Sequence, residues 1–310
     1  MERQNRYFKQ VQLLVKVLQS VNESSCFALK GGTAINLFHR EMPRLSIDID
    51  LVYVPIESRD RSLSEITLNF KKIGERIVIL IPQANIQYSF LHQTSFINRL
   101  IVRADKTLVK IEVSPVLRGT VYPTQIKRMT AKAEESFGFA EIPVVSFEDL
   151  YAGKILAALD RQHPRDLFDI KGLFENEGMT ENLKESFIVY LISHNRGFLE
   201  ILNPNFLDIE QLYNTDFVGM TTGPIEMKDL IKARSHLVDT INSMLSYQDK
   251  QFLINFKLGK PDWSYFSVPH IKKLPAVKWK IHNLNQLTNI KREQMVNALV
   301  EYFEANGKKT

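Results

Sequence analysis

Cysteine is almost missing from this chain: Cys26 is the only one in 310 residues. No intramolecular disulfide and no cysteine-only metal cluster can form. Cys26 lies in the apolar run Cys26-Phe27-Ala28-Leu29, the setting of a small buried hydrophobe and not of a nucleophile. Long hydrophobic runs are missing too, and Ile77-Val78-Ile79-Leu80-Ile81 is far too short to cross a bilayer. The opening Met1-Glu2-Arg3-Gln4-Asn5-Arg6 leads into no signal-peptide core, so a cytoplasmic location is expected. The seven histidines show no His-x-x-His or cysteine-paired spacing, and no zinc site is suggested. Leu258-Gly259-Lys260-Pro261 lacks the earlier glycine and the following hydroxyl residue of a P-loop. No internal repeat or low-complexity tract is present.

What is there describes an ordinary globular protein. The hydrophobic fraction is 44%, and the length suffices for two domains with their own cores. The net charge of +5 favours an anionic partner without requiring one.

The most informative stretch is Lys30-Gly31-Gly32-Thr33, followed by Leu45-Ser46-Ile47-Asp48-Ile49-Asp50-Leu51. Glycines at a strand-to-helix turn let a phosphate approach bare backbone, and the helix N-terminus adds partial positive charge. Asp48 and Asp50 alternate with Ile47, Ile49 and Leu51, so a strand points both acids to one face. Neighbouring carboxylates repel unless a cation lies between them, and hard divalent ions prefer oxygen ligands. Phosphate cradle plus paired carboxylates outlines a nucleotidyl-transfer site.

Around this core the periodicity predicts a helix over 6–21, a strand over 25–29, a helix from the glycine turn through Phe38 and a strand over 46–54. A helix over 62–77, capped by Ser62 or Ser64, comes next. The stretch from there to about Gln93 reads as either helix end or strand. Residues 96–102 and 107–113 read as a hairpin turning at Ala104-Asp105-Lys106. In its second strand Lys110 and Glu112 share a face, which makes Glu112 the candidate third carboxylate; a solvated Lys/Glu pair is the plainer alternative.

From about residue 145 the pattern turns helical: 147–161, 165–176, 180–194, 228–246, 248–257 and 291–306, with a Gly/Pro/Asn-bearing segment over 195–226. Ser146 and Asp149 form a capping-box-like start. Lys154, among Ile155, Leu156 and Ala157, is either solvent-facing or a clamp for a triphosphate. Asp166 and Asp169 share a helix face beside Arg165, where a surface salt-bridge cluster is the plainer reading. Phe252, Trp263 and Trp279 read as core aromatics. Lys278, Lys280, Lys291 and Arg292 make a solvated basic face or a platform for a phosphate backbone.

Together these motifs resemble the AbiEii/AbiGii toxin family, nucleotidyltransferases of the polymerase-beta-like superfamily found in toxin–antitoxin and phage-defence loci. The resemblance rests on Gly31-Gly32-Thr33 with Ser46-x-Asp48-x-Asp50, on Lys110-x-Glu112, on Asp149-Leu150-x-x-x-Lys154 and on Arg165-Asp166-x-x-Asp169. Lys260-Pro261-Asp262-Trp263 and the run from Leu274 to Leu284 are similar to the family's C-terminal segment. Glu112 departs mildly, since an aspartate is frequent there.

The resemblance implies an α+β protein: a nucleotidyltransferase-fold mixed sheet with flanking helices over 1–145, then a helical domain over 146–310. It implies transfer of a nucleoside monophosphate from a nucleoside triphosphate to an acceptor, which in the family can be the tRNA 3′ end. Asp48, Asp50 and Glu112 would hold Mg²⁺, with Glu112 alternatively drawing the acceptor's proton. Gly31, Gly32, Thr33 and Ser46 would position the triphosphate, and Asp169 would join the nucleotide site. Lys154 would neutralise charge on the leaving pyrophosphate, and Asp166 would orient Lys154, the nucleotide or the acceptor. A cognate antitoxin is the implied protein partner, and no membrane is involved. The alternatives from the residues themselves are a small-molecule nucleotidyltransferase, a metal-dependent nuclease and a non-catalytic binding module.

Overall fold

The computed structural model describes residues 2–307 and the side chains of residues 7–306. The chain divides into two compact units, Met1–Ser146 with Phe217–Ile225, and Phe147–Asp216 with Glu226–Thr310. The protein is α+β.

The first unit starts with α1 (Glu2–Asn22), β1 (Phe27–Lys30) and α2 (Gly31–Ala34), which widens into a π-turn over Ile35–His39. There follow β2 (Asp48–Tyr53), α3 (Arg59–Leu80), β3 (Asn85–Phe90), β4 (Ile97–Ala104), β5 (Thr107–Val113), β6 (Gln125–Arg128), α4 (Ala131–Phe137) and β7 (Glu141–Val144). One mixed sheet runs β3-β4-β5-β2-β1-β7-β6. β2 pairs with β5 in parallel and with β1 antiparallel, so the aspartate strand is central. Ile49, Leu51, Ile111 and Val113 are buried, and α1 and α3 pack against the strands. That burial directs the alternate, polar residues of the same strands to the opposite face.

The β4–β5 turn falls where the sequence places it. Asp105 and Lys106 both have positive φ, 47° and 63°, the backbone of a type I′ turn. The helix expected over 62–77 starts a turn earlier: Ser58 accepts from the Arg61 N–H at 3.4 Å, and Ser62 lies inside the helix. Residues 78–93 divide into helix end and strand.

The second unit is helical: α5 (Phe147–Asp160), α6 (Pro164–Asn176), α7 (Glu181–Ser193), α8 (Phe198–Leu202), α9 (Glu210–Leu212), α10 (Met227–Met244), α11 (Tyr247–Leu258), α12 (Pro275–Asn285) and α13 (Asn289–Gly307). α6 begins with Pro164 at its first position, where a missing N–H costs nothing, and His163 Nδ1 accepts from the Arg165 N–H at 3.1 Å. Burial pushes the His163 imidazole down to about 4, and Arg165 adds to this. Phe252 is core, as its sequence setting suggests, but Trp279 is 56% exposed and stacks on His282. The buried face of α12 belongs to Ala276, Val277 and Leu284, leaving Trp279 on the other side.

Candidate active site

The site begins with register. β1, β2, β5 and β4 bring Lys30, Asp50, Glu112 and Arg99 side by side in one row. The neighbouring row pairs Asp48 with Lys110. Residues directly opposite in a ladder share a face, so two acids stand together in the first row with a base at each end. Glu112 Oε1 lies 2.7 Å from Arg99 Nε. Both side chains are well exposed, and such a pair contributes only ~0.2–1 kcal/mol to stability.

The glycine turn is shaped around these acids. Gly31 has φ +74°, and a Cβ built there would lie 2.5 Å from Asp50 Oδ2. Gly32 leaves room for Arg44, whose Nη2 would be 2.6 Å from a Cβ, with Ser46 Oγ at 3.0 Å. Arg44 is only 2% exposed, and its Nη1 donates to the Leu45 carbonyl at 2.9 Å. Asn36 fastens the turn, its side-chain amide donating to the Gly32 carbonyl at 2.9 Å while its oxygen accepts from the Arg44 N–H at 3.3 Å. Thr33 and Ser46 are buried. The Thr33 hydroxyl donates to the Asp48 carbonyl at 2.5 Å and lies 3.0 Å from Ser46 Oγ. These two hydroxyls thus tie the turn to the aspartate strand.

From Pro43 to Leu45 the chain is held by the nine-residue segment Phe217–Ile225. Leu45 N–H donates to the Met220 carbonyl at 2.8 Å, Thr222 N–H donates to the Pro43 carbonyl at 3.1 Å, and Arg44 bridges Thr221.

In the second unit, Lys154, Asp166 and Asp169 come together. Lys154 Nζ is 2.7 Å from Asp166 Oδ1 and 3.0 Å from Asp169 Oδ2. All three are buried, whereas the sequence offered a surface cluster as the plainer picture for the two aspartates. Arg161 completes the group, its Nε and Nη2 donating to Asp166 at 2.6 and 3.1 Å. Burial alone would raise the Asp166 carboxyl, but Lys154 and Arg161 outweigh it and hold it well below the usual carboxylate range. Asp149 accepts from the Tyr190 hydroxyl at 3.1 Å.

A strand-borne acid pair beside a glycine turn has a known setting. The model for the nucleotidyl transferase AbiEii toxin of type IV toxin–antitoxin systems matches residues 12–283. This chain belongs to that family. It is therefore a nucleotidyltransferase, and membership implies a nucleoside triphosphate as donor and an antitoxin as partner. MenT4, a nucleotidyltransferase toxin from Mycobacterium tuberculosis, superposes with a TM-score of 0.57 at 14% identity, covering 90% of this chain and 92% of that one. At that identity the likeness speaks for the fold. No curated protein matches the sequence.

Divalent ions are the usual companions of this AbiEii-type chemistry, so the donor set matters. Among the described residues no three His, Cys, Asp or Glu side chains are grouped to hold a metal. Asp48 and Asp50 offer two carboxylates on one half-exposed face. That set suits Mg²⁺, which is commonly held by one or two carboxylates and completed by substrate phosphates and water. It does not suit an all-protein cage.

Sequence reasoning missed Arg44, Arg99 and Arg161. For Arg44 one signal existed: it continues the even-numbered series of Ser46, Asp48 and Asp50. Arg99 shows itself only through register.

Proposed function

We propose that the protein transfers a nucleoside monophosphate to the 3′ end of an RNA, with tRNA as the acceptor that its basic balance suits. The observation that carries this reading is the row Asp50–Glu112 beside Asp48, on the open face of the sheet next to the glycine turn. In the reaction the acceptor oxygen bonds to the α-phosphorus, the bond to the bridging oxygen breaks, and pyrophosphate leaves.

Asp48 and Asp50 would hold Mg²⁺, which when bound neutralises phosphate charge and supports in-line displacement. Glu112 is either a third ligand or the base that takes the acceptor's proton; for both roles its carboxylate must loosen from Arg99. Gly31 and Gly32 expose backbone to the triphosphate, while Thr33 and Ser46 position the turn. Lys154 is proposed to neutralise pyrophosphate, with Asp166 and Asp169 orienting its ammonium. No helix among the described residues is long and apolar enough to cross a membrane, and we propose a cytoplasmic site of action.

Incubation of the purified protein with each radiolabelled nucleoside triphosphate, Mg²⁺ and total RNA tests the reading. Label in the tRNA band, lost in Asp48→Ala, is expected. RNA fragments without label would instead indicate a nuclease, and label confined to small molecules would indicate a different acceptor.

A further inference from the structure

Within the second unit, α8, α11 and α13 border an open cleft of about 400 Å³. Phe198, Leu199, Leu287, Met295 and Leu299 give it an apolar wall. Lys257 also lines it and is only 3% exposed. Among the described residues no carboxylate pairs with this ammonium and no acceptor takes its protons. Its one partner is the Phe198 ring, whose centroid lies 4.0 Å from Nζ.

A cation over a ring recovers about 2 kcal/mol when desolvated. The effective penalty for burying an ammonium is several kcal/mol. Lys257 is mostly buried and has no compensating carboxylate among the described residues, although its Nζ keeps some contact with solvent. Burial pushes it down to about 8; Lys280 adds to the effect and Glu200 opposes it. Lys154, buried in the same unit, has two aspartates against it, and the contrast marks what Lys257 lacks. Glu200 lines the same cleft, but no ion pair joins it to Lys257 among the described residues, and its Oε1 accepts from the Gly197 N–H at 2.9 Å. Of the charged side chains around the cleft, Lys257 and Lys291 outnumber Glu200.

We propose that this cleft is a binding site for a small amphipathic carboxylate, its head group paired with Lys257 and its hydrocarbon body against the Phe198–Leu299 wall. The volume falls in the range of small-ligand sites and leaves room for a chain of roughly eight carbons. Inorganic phosphate would fill little of it and would leave the apolar wall bare.

Octanoate and octanol, titrated calorimetrically into the full-length protein, test the proposal. Octanoate is expected to bind one-to-one with a Kd below ~1 mM, and octanol at least about tenfold more weakly. Lys257→Met should weaken octanoate about tenfold and leave octanol unchanged. Ala298→Trp, which fills the cleft and keeps the lysine, should abolish both; circular dichroism confirms folding of each variant. Should Lys257→Met not fold, Ala298→Trp and the octanol comparison decide. No saturable octanoate binding, equal affinity for the alcohol, or binding indifferent to both substitutions would overturn the proposal.

Discussion

Gly31 and Asp50 share one space: the carboxylate of the aspartate lies where a side chain on the glycine would have to be. The first glycine of the turn is thus required by the acid as well as by its own left-handed backbone. Gly31→Ala should cost ~1–2 kcal/mol for the backbone conformation alone, and more for the collision with Asp50. In an Asp50→Ala background the collision is largely relieved while the backbone cost remains. A double-mutant cycle by urea denaturation should therefore give a smaller penalty for Gly31→Ala when Asp50 is absent. Simple additivity would show that the two residues are not coupled.

Lys154 holds two buried carboxylates together. Lys154→Met leaves both without their ammonium, and removing one partner of a buried ionic group typically costs ~3–5 kcal/mol. Equilibrium unfolding should register a loss of that size. A change below about 1 kcal/mol, as for an exposed pair, would contradict the buried arrangement.

Asp166 carries a pH signature. Its carboxyl is depressed in the folded protein, so the unfolded chain binds more protons on the acid side. The stabilisation is complete above the ordinary carboxylate range, near pH 4, and is lost as pH falls through the folded value. Asp166→Asn should melt well below the parent protein at pH 7. The gap in melting temperature should close progressively as the pH drops below about 4. A gap that stays constant down to strong acid would refute the assignment.

Arg99 tests the proposed role of Glu112. The Arg99–Glu112 pair is exposed, so Arg99→Ala should change stability by less than about 1 kcal/mol. It frees Glu112, and if that carboxylate ligates metal, transfer should saturate at lower Mg²⁺ concentration than in the parent. An unchanged Mg²⁺ dependence would remove Glu112 from the metal set and leave it as the candidate base.

The two-residue period of a strand made Asp48 and Asp50 legible, and the same period placed Glu112 with Lys110. The hairpin was legible because Asp105-Lys106 interrupts two alternating runs. Register was not: that Asp50 stands beside Glu112, and Glu112 beside Arg99, depends on which strands pair over long sequence distances. Depth was not legible either. Helical spacing put Asp166 and Asp169 on one face, and only packing decides that this face is interior. β6 and β7 are four residues each, one containing Pro143, too short for periodicity to speak. The basic C-terminal residues also separate by environment. Lys280 donates to the His194 and Arg196 carbonyls and Arg292 to those of Leu258 and Leu284, whereas Lys278 and Lys291 are exposed.

The segment Phe217–Ile225 gives the aspartate strand a delayed birth. Pro43 to Leu45, the approach to Ser46 and Asp48, receive backbone partners from residues that the ribosome adds some 175 positions later. Most of the second unit's first helices must be synthesised before those bonds exist. A nascent or prematurely terminated chain carrying every acid of the first unit therefore still lacks the clasp that fixes their approach.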